Sequence, residues 1–207
     1  MGFGLLALLT IVQTGCRGAY IGLFFGAILF AFLLYKNFES EFKKINHFDK
    51  IIKYTLVGVI ILSVLAAVFS PAISHRLTSI FTLRGDSSNS YRMNVYNSSL
   101  KMFFDNFLIG IGPGNTTYRL VYGLYMITGF DALGAYNIYL EMAVESGIFA
   151  LLTFIWMLIL SFVKTLKKLF EVGLEIKLAI IAILSALLAM LFHGFFDTVW
   201  YRPQLQL

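Results

Sequence analysis

Residues 18–35 read GAYIGLFFGAILFAFLLY, an apolar run without one Lys, Arg, Asp or Glu. At about 1.5 Å of rise per residue, a helix of that length covers roughly 27 Å, close to the thickness of a bilayer's hydrocarbon core. Lipid offers no partner to peptide groups, so such a stretch satisfies its own backbone as a helix. The same pattern extends to both sides. Residues 54–70 and 178–196 are also free of charged side chains, and residues 138–163 carry only Glu141 and Glu145 near their start, where negative charge suits a helix N-terminus. A shorter apolar run covers residues 2–13.

Composition agrees. Of 207 residues, 59% are hydrophobic and 13% charged, and the mean hydropathy is +0.82. Soluble domains are roughly half apolar and a quarter charged, so bilayer is the main solvent here. The net charge of +5 is carried by loop lysines, which argues for a membrane surface and against nucleic acid as partner. Cys16 is the one cysteine, so an internal disulfide and a Cys-based metal site are excluded. His47, His75 and His193 lack clustered partners, so no metal site and no cofactor are expected.

The chain is therefore expected to be an all-α polytopic membrane protein. It would hold about five transmembrane helices, the first partial, and one long helical insert. Residues 1–70 and 137–207 form the membrane parts and residues 71–136 the insert. No cleavable signal is expected: residues 1–13 lack a basic start and no A-x-A site follows. Residues 2–13 are too short to span, and Arg202 to Leu207 reads as the approach to a further element. The chain thus reads as a piece of a longer membrane protein, truncated at the C-terminus. Within the second span, Gly18, Gly22 and Gly26 form a small-residue face for close approach of another helix.

Lysines set the orientation. Residues 36–53 hold Lys36, Lys43, Lys44, Lys50 and Lys53, and residues 164–177 hold Lys164, Lys167, Lys168 and Lys177, so both loops should be cytoplasmic. Alternation then places residues 71–136 outside, with the turn Thr14 to Gly18 and the stretch His193 to Asp197 on the same side. In the insert, residues 90–106 are predicted to form an amphipathic helix with Met93, Tyr96, Leu100, Phe103, Phe104 and Phe107 on its apolar face, lying on the membrane or covering the bundle. Gly110 to Asn115 stops it, and residues 116–130 suggest a second short helix.

Several residues could carry chemistry, each with an ordinary alternative. Arg17 sits at a span edge, where arginines commonly snorkel. Arg92 and Arg119 lie in the insert as solvated or anion-clamping groups. The turn Gly110-Ile111-Gly112-Pro113-Gly114-Asn115 is a tight turn or a row of N–H groups for an anion, and no P-loop lysine follows it. Tyr136 and Asn137 stand where the insert re-enters the membrane, as a helix cap or as site residues. His193 and Asp197 are four apart, hence on one helix face, as a base with its orienting carboxylate or as an interfacial pair.

These residues carry a resemblance. Thr14-Gly15-Cys16-Arg17-Gly18 resembles the T-x-S-R-G element of the O-antigen ligase and polymerase superfamily. Tyr91-Arg92 with Asp105 to Asn115 resembles its second element, and Ala135 to Gly147 its His-Asn-x-Tyr-Leu-Glu element. The likeness covers residues 5–163, and the tail from His193 to Gln204 is similar to a cyanobacterial branch labelled as bicarbonate transporters. The family is one of many-span glycosyltransferases of the bacterial inner membrane. They move a glycan from a polyprenyl-diphosphate carrier to an acceptor on the extracytoplasmic face.

The resemblance implies that Arg17 and Arg92 hold the diphosphate, with Arg119 and Asn137 as further substrate-binding residues. The family histidine proposed as base falls on Tyr136. A phenol keeps its proton at neutral pH and is a poor base, so His193 is the substitute candidate. Three functions follow as alternatives: a glycan ligase, an anion or bicarbonate transporter, and a non-catalytic truncated relative. Against transport, the spans show no mid-membrane charge and no Gly- or Pro-broken helix.

Overall fold

A computed structural model describes Thr10, residues 16–43 and residues 87–198. Every regular element among them is an α-helix: α1 Arg17–Lys43, α2 Ser87–Asp105, α3 Asn115–Tyr122, α4 Ile138–Lys168 and α5 Leu174–His193. By length and composition α1, α4 and α5 can each cross a bilayer. The protein is an all-α membrane protein. The apolar runs at 18–35 and 138–163 fall in α1 and α4 and that at 178–196 runs three residues past α5, while those at 2–13 (Thr10 apart) and 54–70 lie outside the described residues.

The chain divides into two compact units, Met1–Leu33 with Asn94–Leu207, and Leu34–Met93. Of the second, the described residues are the end of α1 and the start of α2, including Arg92, which is half-buried. All contacts below belong to the first unit.

There the glycine stripe packs α1 on α5. A Cβ on Gly26 would stand 2.8 Å from the Ser185 carbonyl oxygen, one on Gly22 would strike the Ala189 carbonyl, and one on Gly18 would meet the His193 ring at 2.8 Å. Phe25 and Phe192 stack at 4.0 Å beside the stripe. Without a hydrophobic effect between helices in lipid, close van der Waals contact of this kind drives their association. The outward side chains of these helices are large and bare, Phe24, Phe32, Phe149, Trp156 and Ile183 among them, as expected of surfaces that face acyl chains.

α4 and α5 are antiparallel neighbours. The Ile138 N–H, which has no partner within α4, donates to the Gly194 carbonyl at 2.8 Å, and the Tyr139 hydroxyl to the Leu191 carbonyl at 3.0 Å. Asn137 caps α4: its Oδ1 accepts from the N–H groups of Tyr139 and Leu140, both at 3.0 Å.

The insert's long helix buries one side and bares the other. Its buried side is Val95, Ser98, Ser99, Met102 and Phe103, whereas Met93, Leu100, Phe104 and Phe107 are exposed. Small hydroxyl residues let α3 come close, and their polar atoms find partners inside. Ser99 donates to the Val95 carbonyl at 2.7 Å and meets the Tyr118 hydroxyl at 2.6 Å. The short helix expected within 116–130 is α3.

The expectation of unbroken spans is corrected, since α4 does break. Gly147 has φ 77° and ψ −179°. In an unbroken helix Val144 would accept from Ile148. Instead Val144 accepts from Ile111 at 2.9 Å, Glu145 from Gly112 at 2.9 Å, and Ile148 donates to Phe107 at 2.9 Å. The glycine-rich turn thus docks into the break by two backbone hydrogen bonds, and the residues just before it by a third. Only glycine fits at its contact points, since a Cβ on Gly147 would collide with the Leu108 carbonyl and one on Gly110 with that of Glu145.

Candidate functional site

One end of the first unit gathers residues far apart in sequence: the start of α1, the start of α4, the end of α5 and Tyr96 of α2. Cys16 stands just before α1, and its Sγ lies 3.4 Å from His193 Nε2. Absence of a side chain at Gly18 makes room for the imidazole. The hydrogen bond from His193 pulls the Cys16 thiol below its ordinary pKa, against the opposing effect of burial. Arg17 is the next residue and opens α1; its side chain lies outside the described part of the structure.

His193 is the last residue of α5, and the expected His193–Asp197 pair straddles the end of that helix. Gly194 ends the helix, and Asp197 follows a turn in which the N–H groups of Phe196 and Asp197 both donate to the His193 carbonyl, at 2.9 and 3.2 Å. Asp197 Oδ1 accepts from the Thr198 N–H at 2.8 Å. The side chain that meets His193 Nε2 is Cys16, a partner no helical spacing could reveal.

Tyr136 has φ 50°, the left-handed region, and is the one non-glycine residue there among those described. An aromatic side chain at such a position costs on the order of 1 kcal/mol and persists where the surroundings over-determine it. Three contacts do so. The Tyr96 hydroxyl donates to the Tyr136 carbonyl at 3.1 Å, the preceding Ala135 N–H donates to Glu141 Oε2 at 3.0 Å, and Asn137 is tied at both ends of its amide. Its Nδ2 donates to the Phe195 carbonyl at 3.2 Å, so the cap of α4 is also the strut to the end of α5.

Glu141 and Glu145 are each 1% exposed, and sequence reasoning placed them only as helix-dipole partners. In the structure each takes a backbone N–H from the insert. Glu141 holds Ala135, and Glu145 Oε1 accepts from Gly114 at 3.1 Å. The spacing of four residues, which puts both on one face of α4, was the available signal. Buried carboxylates persist where such hydrogen bonds meet their lone pairs.

The same bonds settle the glycine-rich turn. The N–H groups of Gly110, Ile111, Gly112 and Gly114 go to Asn106, Val144, Glu145 and the Glu145 carboxylate, and Pro113 has none. The turn is a docking element in which every N–H group from Gly110 to Gly114 is engaged.

Arg119, in the last turn of α3, reaches Asp131 at 3.4 Å, with both side chains about 60% exposed, as a solvated ion pair. Tyr118 is buried and stacks on Tyr122 at 5.6 Å; burial pushes its phenol above the ordinary range. The described residues hold no group of three or more His, Cys, Asp or Glu side chains suited to a metal ion.

A family model described as O-antigen ligase matches residues 2–155. That span includes α1, α2, α3, the break in α4 and the turn that fills it, and leaves out α5 with His193. No curated protein and no solved structure matches the chain. With three quarters of its length in the match, this membrane protein belongs to the O-antigen ligase family.

Proposed function

We propose that this protein transfers a glycan from a polyprenyl-diphosphate carrier to an acceptor hydroxyl on the extracytoplasmic face of a bacterial inner membrane. Residues 71–136 would form the outer insert. The observation that carries the reading is the meeting of Cys16 with His193 beside Arg17 and the Tyr136–Asn137 turn, the positions that correspond to two elements of the family.

In this reading the acceptor oxygen attacks the anomeric carbon, the bond from that carbon to the diphosphate oxygen breaks, and the diphosphate leaves with the pair. Arg17 binds the diphosphate and offsets the charge that develops on it, a role that the resemblance also gives to Arg92. A general base takes the hydroxyl proton. Tyr136 stands at the family's histidine position but is a phenol, and His193 is the base. With Nε2–H donating to the Cys16 sulfur, Nδ1 carries the lone pair that accepts the proton. Asn137 holds the turn, since its amide is already engaged as cap and strut. Arg119 would contribute at most long-range charge.

A second reading, anion or bicarbonate transport, gains from the broken α4 with two buried carboxylates beside the break. It is the weaker one. The freed carbonyls are occupied by the glycine-rich turn, and carboxylates repel an anion. The deciding experiment expresses the chain in a bacterial strain lacking its own ligase and measures surface glycan transfer beside bicarbonate uptake. Glycan transfer without uptake supports the first reading; uptake without transfer replaces it with the second.

A further inference from the structure

The turn Phe107-Leu108-Ile109, between α2 and the glycine-rich loop, exposes three consecutive large apolar side chains, with Ile109 85% exposed. Such a run is costly in water and common against lipid. Its position along α4 is fixed by the break. The Ile148 N–H donates to the Phe107 carbonyl, and a Cβ on Gly147 would run into the carbonyl of Leu108.

The depth of that break follows from the charge pattern of α4. The helix has 31 residues, about 46 Å, which exceeds a hydrocarbon core of about 30 Å. One edge of the core is marked by Lys164, Lys167 and Lys168. Counting back about 20 residues from Lys164 reaches Val144, next to the break. Beyond it toward the N-terminus α4 is buried in protein through Glu145, Glu141 and Ile138, and after it Phe149 and Leu152 are bare and face lipid. The turn is therefore pinned where the lipid-facing surface of α4 begins.

We propose that Phe107, Leu108 and Ile109 form an apolar wedge inserted among the acyl chains at the hydrocarbon edge, held at that depth by the docking of their turn into the break of α4. The insert then touches lipid as well as water. The inference does not depend on glycan transfer.

The test reconstitutes the full chain into phosphatidylcholine/phosphatidylglycerol vesicles doped with a phosphatidylcholine that carries a diazirine in its acyl tail. After irradiation, peptide mass spectrometry reads the labelled positions, and a parallel sample uses a water-soluble diazirine. Residues 107–109 should take the lipid label as strongly as Phe149 and Leu152, and more than twice as strongly as the segment around Asp131. In Ile109→Lys, lipid labelling of the turn should fall while that of Phe149 stays. Labelling of the turn mainly by the water-soluble probe would overturn the proposal. Protection from both probes would overturn it too, since another protein surface would then cover the turn. Should Ile109→Lys not fold, the two labelling patterns of the unmodified chain decide alone.

Discussion

Cys16 and His193 are 177 positions apart and meet at 3.4 Å, thiol sulfur to imidazole Nε2, where the start of α1 passes the end of α5. The contact joins a residue inside the family match to a tail that lies outside it. It also makes a thiol report on the imidazole. The bond to His193 favours the thiolate, so Cys16 ionises below the ordinary thiol range.

Alkylation checks this directly. The rate of Cys16 reaction with iodoacetamide should rise at lower pH in the unmodified chain than in His193→Ala. The linked stability has a definite sign. A lowered acid pKa in the folded state stabilises above the ordinary thiol pKa, and that contribution is lost as pH falls through the lowered value. Identical pH profiles for the two proteins would mean that the 3.4 Å contact does not act on the thiol.

Docking of the glycine-rich turn into α4 should be sensitive to single methyl groups. Gly147→Ala and Gly110→Ala each place a Cβ against a backbone carbonyl at positive φ. Each should lower stability in detergent by about 2–4 kcal/mol, read from denaturant or thermal unfolding. Gly173→Ala meets nothing within 4 Å and should change it by less than about 0.5 kcal/mol. Equal effects at all three would remove the docking argument.

The stripe on α1 makes a separate prediction. Gly22→Val drives a branched side chain into the Ala189 carbonyl and should separate α1 from α5, at a cost of about 1–3 kcal/mol. A disulfide-free readout is the distance between spin labels on the two helices, which should grow with the loss of stability.

Tyr136 can be tested as backbone and as chemistry. Histidine is among the residues that tolerate the left-handed region, so Tyr136→His should fold as well as the unmodified chain at φ 50°. If the family's base belongs at this position, glycan transfer in that variant should rise. A folded variant with unchanged transfer would leave His193 as the base.

The arginines should separate. Arg17→Ala and Arg92→Ala should abolish consumption of lipid-linked glycan. Arg119→Ala breaks only an exposed pair with Asp131 and should cost less than about 1 kcal/mol of stability and leave turnover nearly unchanged. Loss of turnover in the Arg119 variant alone would move the anion site to α3.

Helix α1 shows how much was legible beforehand. Its uncharged run and its glycine spacing depend on local chain chemistry and on the bilayer as solvent, and both survive in the structure, where the helix runs on past residue 35 to Lys43. The Asn137 cap was legible for the same reason, since a cap is a bond to residues two and three further on. The buried face of α2 was not. Ser98 and Ser99 read as polar until Val95 and Tyr118 stand within reach of the Ser99 hydroxyl. The break at Gly147 was equally hidden, because a lone glycine in a membrane helix is ordinary and its meaning lies in the carbonyl of Leu108 opposite.

Sequence alone determined that the chain is helical, that it lives in a bilayer and that its stretches match one family, because hydropathy, caps and motif order are properties of neighbours along the chain. Tertiary structure decided that His193 meets Cys16, that Glu141 and Glu145 hold the insert, and that the glycine-rich turn fills a broken helix. Those are bonds between residues six to 177 positions apart, and their geometry exists only once the helices have packed.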